Sequence, residues 1–187
     1  MSADDKARWS ETYATLPAPE EPEPAQFLAE NISLLTPGRT LDVAAGRGRN
    51  AIFLAAHGHR VLAVDLSRSA LEAIGRRAAI ALAQVDLDHP CFRAGSLDNV
   101  VSINFLDRRL FPEMMGWLKP GGVLLFDTFL IDQRGRGHPR NPAFLLAHNE
   151  LLERIRGLRV LRYREGLVSD SSGTSYRAGA VAVRTDA

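Results

Sequence analysis

Residues 40–66, TLDVAAGRGRNAIFLAAHGHRVLAVDL, decide the fold of this chain. Within them, residues 41–44 form a short, mainly apolar run that ends in small side chains, a pattern typical of a buried parallel strand. Gly46 and Gly48 then predict a tight turn. The apolar residues that follow recur at helical spacing until Gly58, which ends the helix. The stretch therefore predicts a strand, a glycine-rich turn and a helix in direct succession.

A second buried strand is predicted over residues 61–64, with Asp65 at its carboxyl end. The glycine-rich turn and the helix N-terminus bring backbone N–H groups and the positive end of the helix dipole to one place. An acid at the tip of the next strand can accept hydrogen bonds from a ribose. Together these features predict a site for a nucleotide cofactor.

Two classes of cofactor site fit the turn. Residues 46–51 match the dinucleotide fingerprint GxGxx(G/A), and residues 41–48 resemble motif I, hhDhGxGxG, of the class I S-adenosylmethionine-dependent methyltransferases. Asp42 favours the second class, because a carboxylate just before the turn would repel a pyrophosphate and attract a cation such as the methionine ammonium. Ala44 stands where the motif has its first glycine.

Other segments resemble the same family. Residues 118–122, LKPGG, resemble a turn that is widespread in class I methyltransferases, and they lead into an apolar fifth strand that reaches residue 129. Residues 9–13, WSETY, resemble the opening of the small tellurite-resistance-type methyltransferases. Residues 139–146, PRNPAFLL, resemble a segment of bacterial proteins of that type. The resemblance covers about residues 6–186.

The resemblance implies an α/β fold: a doubly wound, Rossmann-like, mostly parallel seven-stranded sheet with an antiparallel last strand, and an N-terminal helical lid. We expect one domain over residues 1–187, with an N-terminal helix and proline-rich connector at 1–24 and a loop insertion at 130–147. Ser67 is the expected N-cap of a helix. The remaining predicted elements are helices over residues 26–35, 70–79, 108–118 and 148–155, and strands over residues 80–87, 98–103, 158–168 and 176–184. The strand over residues 80–87 is expected to be buried.

By this resemblance the cofactor is S-adenosylmethionine and its product S-adenosylhomocysteine. Asp42 and the glycine turn would surround the methionine part. Asp65 would bind the ribose, and Asp86 with Leu87 would bind the adenine. Tyr13 would approach the cofactor from the lid, and the end of the fourth strand would line the methyl region. The predicted cofactor-binding residues are Tyr13, Asp42, Ala44, Gly46, Gly48, Asn50, Asp65, Leu66, Asp86, Leu87, Ser102 and Asn104.

Residues 130–147 form a basic, irregular insertion at the carboxyl edge of the predicted sheet, where loops commonly carry specificity. Arg134 and Arg140 are candidates for binding an anionic or polar substrate, and His138 is the candidate acid–base group. No position is identified as a required general base. The arginines expected on solvated faces of the helix over 148–155 and the strand over 158–168 are Arg154, Arg156, Arg159, Arg162 and Arg164.

Composition limits the partners and the compartment. The 187 residues have a net charge of +1, which favours neither nucleic acid nor a membrane surface as a partner. A single cysteine, Cys91, excludes an internal disulfide and favours a reducing compartment, so we expect a cytoplasmic protein. The histidines lack the spacing of a metal site, so no metal is expected.

The predicted function is transfer of a methyl group to a small-molecule acceptor by in-line displacement, with a thiol or a chalcogen oxyanion as candidate acceptors. Two alternatives remain: a non-catalytic protein that binds S-adenosylmethionine or S-adenosylhomocysteine, and a nicotinamide-dinucleotide-binding oxidoreductase. The Tyr-x-x-x-Lys pair of short-chain dehydrogenases is absent from the sequence. The acceptor's identity and the oligomeric state stay open.

Overall fold

The computed structural model describes residues 23–170 and 173–185, so the predicted lid helix with Tyr13 lies outside the described residues. The strands are β1 (Arg39–Val43), β2 (Arg60–Asp65), β3 (Ile80–Gln84), β4 (Leu97–Ile103), β5 (Leu118–Phe129), β6 (Arg159–Asp170) and β7 (Gly173–Val183). The α-helices are α1 (Gln26–Asn31), α2 (Arg49–Ala56), α3 (Arg68–Glu72), α4 (Leu110–Trp117) and α5 (Glu150–Arg154). Short 3₁₀ turns cover Ile32–Leu34, Ile131–Gly135 and Pro142–Phe144.

The seven strands form one sheet in the order β3-β2-β1-β4-β5-β7-β6. The first five strands pair in parallel, and β7 inserts antiparallel between β5 and β6. The predicted doubly wound sheet with an antiparallel last strand is therefore confirmed. The strand order reverses between β1 and β4, and ligands of open α/β sheets bind at such a switch point, beyond the carboxyl ends of the strands.

Apolar side chains alternate between the two faces of the sheet and form one core on each side. Leu124 and Val100 belong to the core under α4 and α5, while their neighbours Leu125 and Val101 belong to the core under α1, α2 and α3. Both faces are thus covered by helices, which is why the central strands are mainly apolar.

Several predicted elements differ from the structure in extent or burial. Residues 26–35 divide into α1 and a 3₁₀ turn. Helix α3 ends at Glu72 rather than at residue 79, because the chain already turns toward β3 and the Val61 amide donates to the Ala79 carbonyl (2.8 Å). The predicted burial of the third strand is wrong: β3 is an edge strand, and Leu82 is 39% exposed.

Gly48 closes the turn between β1 and α2 in a left-handed backbone conformation (φ 77°). A Cβ atom at Gly48 would lie 2.6 Å from both Cγ1 and Cδ1 of the buried Ile74, just after α3. The next residue, Gly75, is also left-handed (φ 71°), but nothing lies within 4 Å of its Cβ position. Gly48 therefore lets α2 begin directly against the α3 segment.

These two glycines provide a matched test. Gly48→Ala combines left-handed strain with a steric clash, so we expect it to lower the free energy of unfolding by about 2–4 kcal/mol. Gly75→Ala carries the strain alone and is expected to cost about 1 kcal/mol. Urea denaturation at equilibrium measures both values. Equal losses in the two variants would show that the close approach to Ile74 contributes nothing.

Candidate functional site

Asp65 at the carboxyl end of β2 binds the glycine turn directly. The Gly46 amide donates to Oδ2 (2.8 Å), and the Ser67 amide donates to Oδ1 (2.8 Å). The carboxylate is 8% exposed, and each oxygen can accept one further hydrogen bond. The same side chain therefore fixes the turn and keeps acceptor capacity for a ligand.

Ser67 continues this arrangement as the N-cap of α3. Its hydroxyl oxygen accepts from the Ala70 amide (3.2 Å), as predicted from the sequence. On the other side of the turn, Ala44 has a left-handed backbone (φ 54°), where motif I has a glycine. The alanine tolerates this conformation at a cost of about 1 kcal/mol.

Asp42 lies in β1 immediately before the turn and is 1% exposed. The Ala51 amide donates to its carboxylate, but Oδ2 has no hydrogen-bond partner among the described residues. Burial raises the pKa of Asp42 to about 7, and the Ala51 amide and the nearby Arg49 only partly oppose this shift. A carboxylate short of donors suits a ligand that brings a cation or an N–H group, such as the methionine ammonium.

The structure gives Asn50, Leu66 and Asp86 protein partners of their own. Asn50 accepts from the Ala25 amide through Oδ1 (3.0 Å), the Leu66 carbonyl accepts from Gln84 Nε2 (2.9 Å), and Asp86 Oδ1 accepts from the Asp88 amide (3.1 Å). Asp86 and the half-buried Leu87 lie just beyond the end of β3. Their binding of a cofactor stays a prediction.

Ser102 and Asn104, the two candidates near the end of β4, lie in different places. Ser102 is fully buried between β1 and β5, and its hydroxyl has no partner among the described residues. Asn104 follows the strand with a left-handed backbone (φ 59°) and lines a cavity of about 470 Å³. The structure thus brings Asn104, but not Ser102, to an open site.

This cavity lies at the carboxyl ends of β4 and β5, beside the glycine turn. Arg49, in the first turn of α2, lines it on the turn's side, and Gln26 and Phe27 of α1 line it as well. Gln133 and His138 contribute from the insertion. The cavity therefore adjoins the predicted cofactor crevice without including Asp42 or Asp65.

A buried ion-pair cluster forms one wall of the cavity. Asp127 in β5, 1% exposed, accepts from Arg164 Nη2 through Oδ1 (3.0 Å) and from Arg177 Nε through Oδ2 (2.8 Å). Arg177 Nη2 also donates to Asn104 Oδ1 (2.6 Å). The guanidinium carbon of Arg177 lies 4.4 Å from the ring centre of Phe129. The cluster consists of two guanidiniums around one carboxylate.

Strand register explains how Arg164 reaches Asp127 across an intervening strand. Asp127 in β5 and Arg164 in β6 both pair with Gly179 in β7. A Cβ atom at Gly179 would lie 2.6 Å from Asp127 Oδ1, so only glycine leaves room for the ion pair to form there. Arg164 also lies over the ring of Phe27 (4.3 Å to the ring centre).

The insertion at residues 130–147 contributes other residues to the cavity than were expected from the sequence. Arg134 and Arg140 are exposed and do not line the cavity, whereas His138 does. The buried Gln133 fixes this loop, because its Oε1 accepts from the Tyr176 amide (2.9 Å) and its Nε2 donates to the His138 carbonyl (3.2 Å). The roles of the three basic residues in binding or catalysis stay predictions.

The expected solvation of Arg164 is wrong, because this side chain is held against Asp127 and Phe27. Asp127 and Arg177 were not among the predicted site residues. One signal was present: Asp127 interrupts the apolar run VLLFDTF, and a charge inside a buried strand requires a partner. The sequence did not show which of the many arginines would supply it.

Two findings concern other kinds of site. Within residues 23–170 and 173–185, no group of three or more His, Cys, Asp or Glu side chains is arranged to hold a metal ion. In the same residues, no helix has the length and apolar character needed to cross a membrane.

Comparison with known proteins identifies the central part of the chain. Residues 40–122 match the family model described as a methyltransferase domain. The presumed methyltransferase YqeM of Bacillus subtilis (strain 168) is 34% identical over 109 residues. That match covers 51% of this chain and 44% of YqeM, so the chain spans less than half of this relative's length.

Two solved structures share the fold at low sequence identity. TehB of Haemophilus influenzae superposes with a TM-score of 0.72 at 21% identity, covering 96% of this chain and 67% of TehB. An S-adenosylmethionine-dependent methyltransferase of Mesorhizobium loti superposes with a TM-score of 0.69 at 19% identity, covering 86% of this chain and 98% of that protein. Residues 40–122 therefore match a methyltransferase domain, and the described residues have the fold of the class I S-adenosylmethionine-dependent methyltransferases.

Proposed function

We propose that this protein transfers a methyl group from S-adenosylmethionine to a small-molecule acceptor. The observation that carries the proposal is the buried Asp42 carboxylate, whose Oδ2 lacks a partner among the described residues beside the glycine turn. S-adenosylmethionine supplies a methyl group on a sulfonium. A bond forms between the methyl carbon and the acceptor, the carbon–sulfur bond breaks, and its electron pair goes to sulfur.

Asp42 supports this cofactor over a dinucleotide on electrostatic grounds. An ammonium near the turn would lower the cost of ionising a carboxylate in a buried position, whereas a pyrophosphate would increase that cost. Asp65 is the proposed ribose ligand, because its oxygens accept one backbone N–H each and retain a lone pair for a hydroxyl. Asp86 and Leu87, just beyond the end of β3, are the proposed adenine contacts.

The cavity beside the turn is the proposed acceptor site. Its volume of about 470 Å³ suits a small molecule. Arg49, at the start of α2 beside the glycine turn, and Asn104 both line the cavity, and we place the approach of an acceptor to the methyl group on this side of it. Holding the two reactants in line and excluding water provides most of the catalysis that such a displacement needs.

A non-catalytic cofactor-binding protein is the second candidate, and one observation favours it. Asp127 is the fully buried carboxylate of the cavity wall, but guanidiniums occupy both of its oxygens, which makes it a poor general base. An acceptor with a soft or already anionic nucleophile, such as a thiolate or a chalcogen oxyanion, needs no base and removes this objection. Conversion of the cofactor to S-adenosylhomocysteine with any acceptor would exclude the non-catalytic alternative.

Titration calorimetry tests the cofactor assignment and the role of Asp65. We expect S-adenosylmethionine and S-adenosylhomocysteine to bind and NAD not to bind. Asp65→Ala removes the proposed ribose acceptor and should weaken both ligands by about 2 kcal/mol, roughly 30-fold. Asp98→Ala is the control, because Asp98 lies at the amino end of β4, on the opposite edge of the sheet. Binding of NAD alone would refute the proposal.

Asp42→Asn separates ligand binding from stability. The folded pKa of Asp42, about 7, lies above its ordinary value of 3.8. This raised pKa stabilises the fold at low pH, and the stabilisation is lost as the pH rises from about 4 to 7. The ligand-free Asp42→Asn variant has no carboxyl group to ionise at this position, so it does not lose stability as the pH rises. At pH 8 we therefore expect it to be more stable than the parent by on the order of 2 kcal/mol.

The measurement is urea denaturation of both proteins at pH 5 and pH 8, followed by titration with S-adenosylmethionine. The stability difference should grow between the two pH values, while the variant binds the cofactor at least about tenfold more weakly. Glu150, whose pKa is lowered to about 2, acts equally in both proteins and cancels in the comparison. A variant that is less stable at both pH values, with unchanged affinity, would contradict the role given to Asp42.

A further inference from the structure

We propose that the acceptor carries an oxyanion, and that the guanidiniums of Arg164 and Arg177 bind it in the cavity. This inference rests on the proposed function and specifies the chemical class of its second substrate. Both arginines and their shared partner Asp127 line the cavity together with Asn104 and Phe129. The oxyanion serves as the anchor that orients the acceptor toward the methyl group.

The charges of the buried cluster do not balance. Arg164 and Arg177 contribute two positive charges, and Asp127 contributes one negative charge, so the cluster has a net charge of +1. The Arg177 and Asp127 side chains are almost completely buried, where solvent screens charge poorly. A single bound anion would neutralise this wall of the cavity.

Hydrogen-bond donors remain available on both guanidiniums. Arg164 donates to Asp127 through Nε and Nη2, and Arg177 donates through Nε and Nη2 to Asp127 and Asn104. In the part of the chain that the structure describes, the Nη1 atom of neither arginine donates to a protein acceptor. Planar guanidiniums with available N–H groups match the geometry of a carboxylate or another oxyanion.

The cluster is also fixed in place before any ligand arrives. Gly179 allows Arg164 to cross β7, Phe27 lies against Arg164, and Phe129 lies against Arg177. Side chains held in this way lose little conformational entropy when they bind an anion. A pair of arginines that only stabilised the sheet would not need to border an open cavity.

Other charged groups that line the cavity do not cancel this excess. Arg49 adds a positive group on the side of the glycine turn. Glu23 is exposed and Asp170 is half-buried, so water and salt screen their charges more strongly than those of the buried cluster. The field at the cluster is therefore expected to favour an anion.

The test uses the full chain saturated with S-adenosylhomocysteine and titrated with benzoate, with neutral benzamide and with selenite. Benzoate and benzamide have the same size and differ in charge. We expect benzoate to bind at least about tenfold more tightly than benzamide. Binding of selenite but not benzoate would support an inorganic oxyanion as the source of the same chemistry, and the reverse would support an organic carboxylate.

Arg164→Gln removes the excess charge but leaves the Asp127–Arg177 pair intact, so the variant should fold. We expect it to lose at least about tenfold in affinity for the anion that binds the parent. Arg162→Gln is the matched control on the same strand, because Arg162 is exposed and, among the described residues, donates only to the Leu161 carbonyl. Asp127→Asn should act in the opposite direction: it raises the excess charge to +2 and should make the thermal midpoint depend more strongly on the added anion.

The outcomes distinguish this inference from the proposed function. If no anion binds, if benzamide binds as well as benzoate, or if Arg164→Gln and Arg162→Gln behave alike, the oxyanion site is refuted even though the cofactor binds. If the anions bind but neither S-adenosylmethionine nor S-adenosylhomocysteine does, the proposed function fails and the anion site stands.

Discussion

The crevice depends on the hydrogen bonds of one buried carboxylate. Backbone amides in a tight turn need acceptors, and a carboxylate that is largely removed from water needs donors. Asp65 satisfies both requirements, since it accepts from Gly46 in the turn after β1 and from Ser67 at the start of α3. The ends of two neighbouring strands and the beginnings of two helices are thereby held together. The start of α2 is fixed in the process, because the turn that precedes it cannot move without breaking the bond to Asp65.

Two other buried carboxylates have opposite imbalances. Asp42 has fewer donors than a charged carboxylate requires, and burial raises its pKa to about 7. Asp127 has two guanidiniums, more positive charge than it can neutralise. A core selected for stability alone would avoid both arrangements, since incompletely balanced buried charges cost free energy. The carboxylate of Asp42, which is short of donors, would suit a cationic ligand, and the excess positive charge around Asp127 would suit an anionic ligand bound beside it.

The predictable part of the molecule is the part whose interactions are local in sequence. The glycine turn, Asp65 and the Ser67 cap lie within residues 40–67, and their patterns reflect their hydrogen bonds. The doubly wound sheet with an antiparallel last strand followed from the resemblance to the class I methyltransferases that these patterns carry. The errors concern position in the sheet: β3 reads as a buried strand but lies at an edge, and Arg164 reads as a solvated side chain but pairs across β7. Neither fact is encoded in neighbouring residues.

The distinction between interactions that are local in sequence and those that join distant strands also separates the two halves of the site. The proposed cofactor contacts come mainly from β1, β2 and the turn between them, which one short segment specifies. The proposed acceptor contacts come from β5, β6, β7 and α1, and they meet only because Gly179 places Asp127 and Arg164 opposite one another. A substitution on the antiparallel hairpin can therefore change the charge of the acceptor cavity without disturbing the glycine turn. Because the two halves are independent, the same cofactor site could serve different methyl acceptors. The net charge of the cluster of Asp127, Arg164 and Arg177 would then decide which class of acceptor binds.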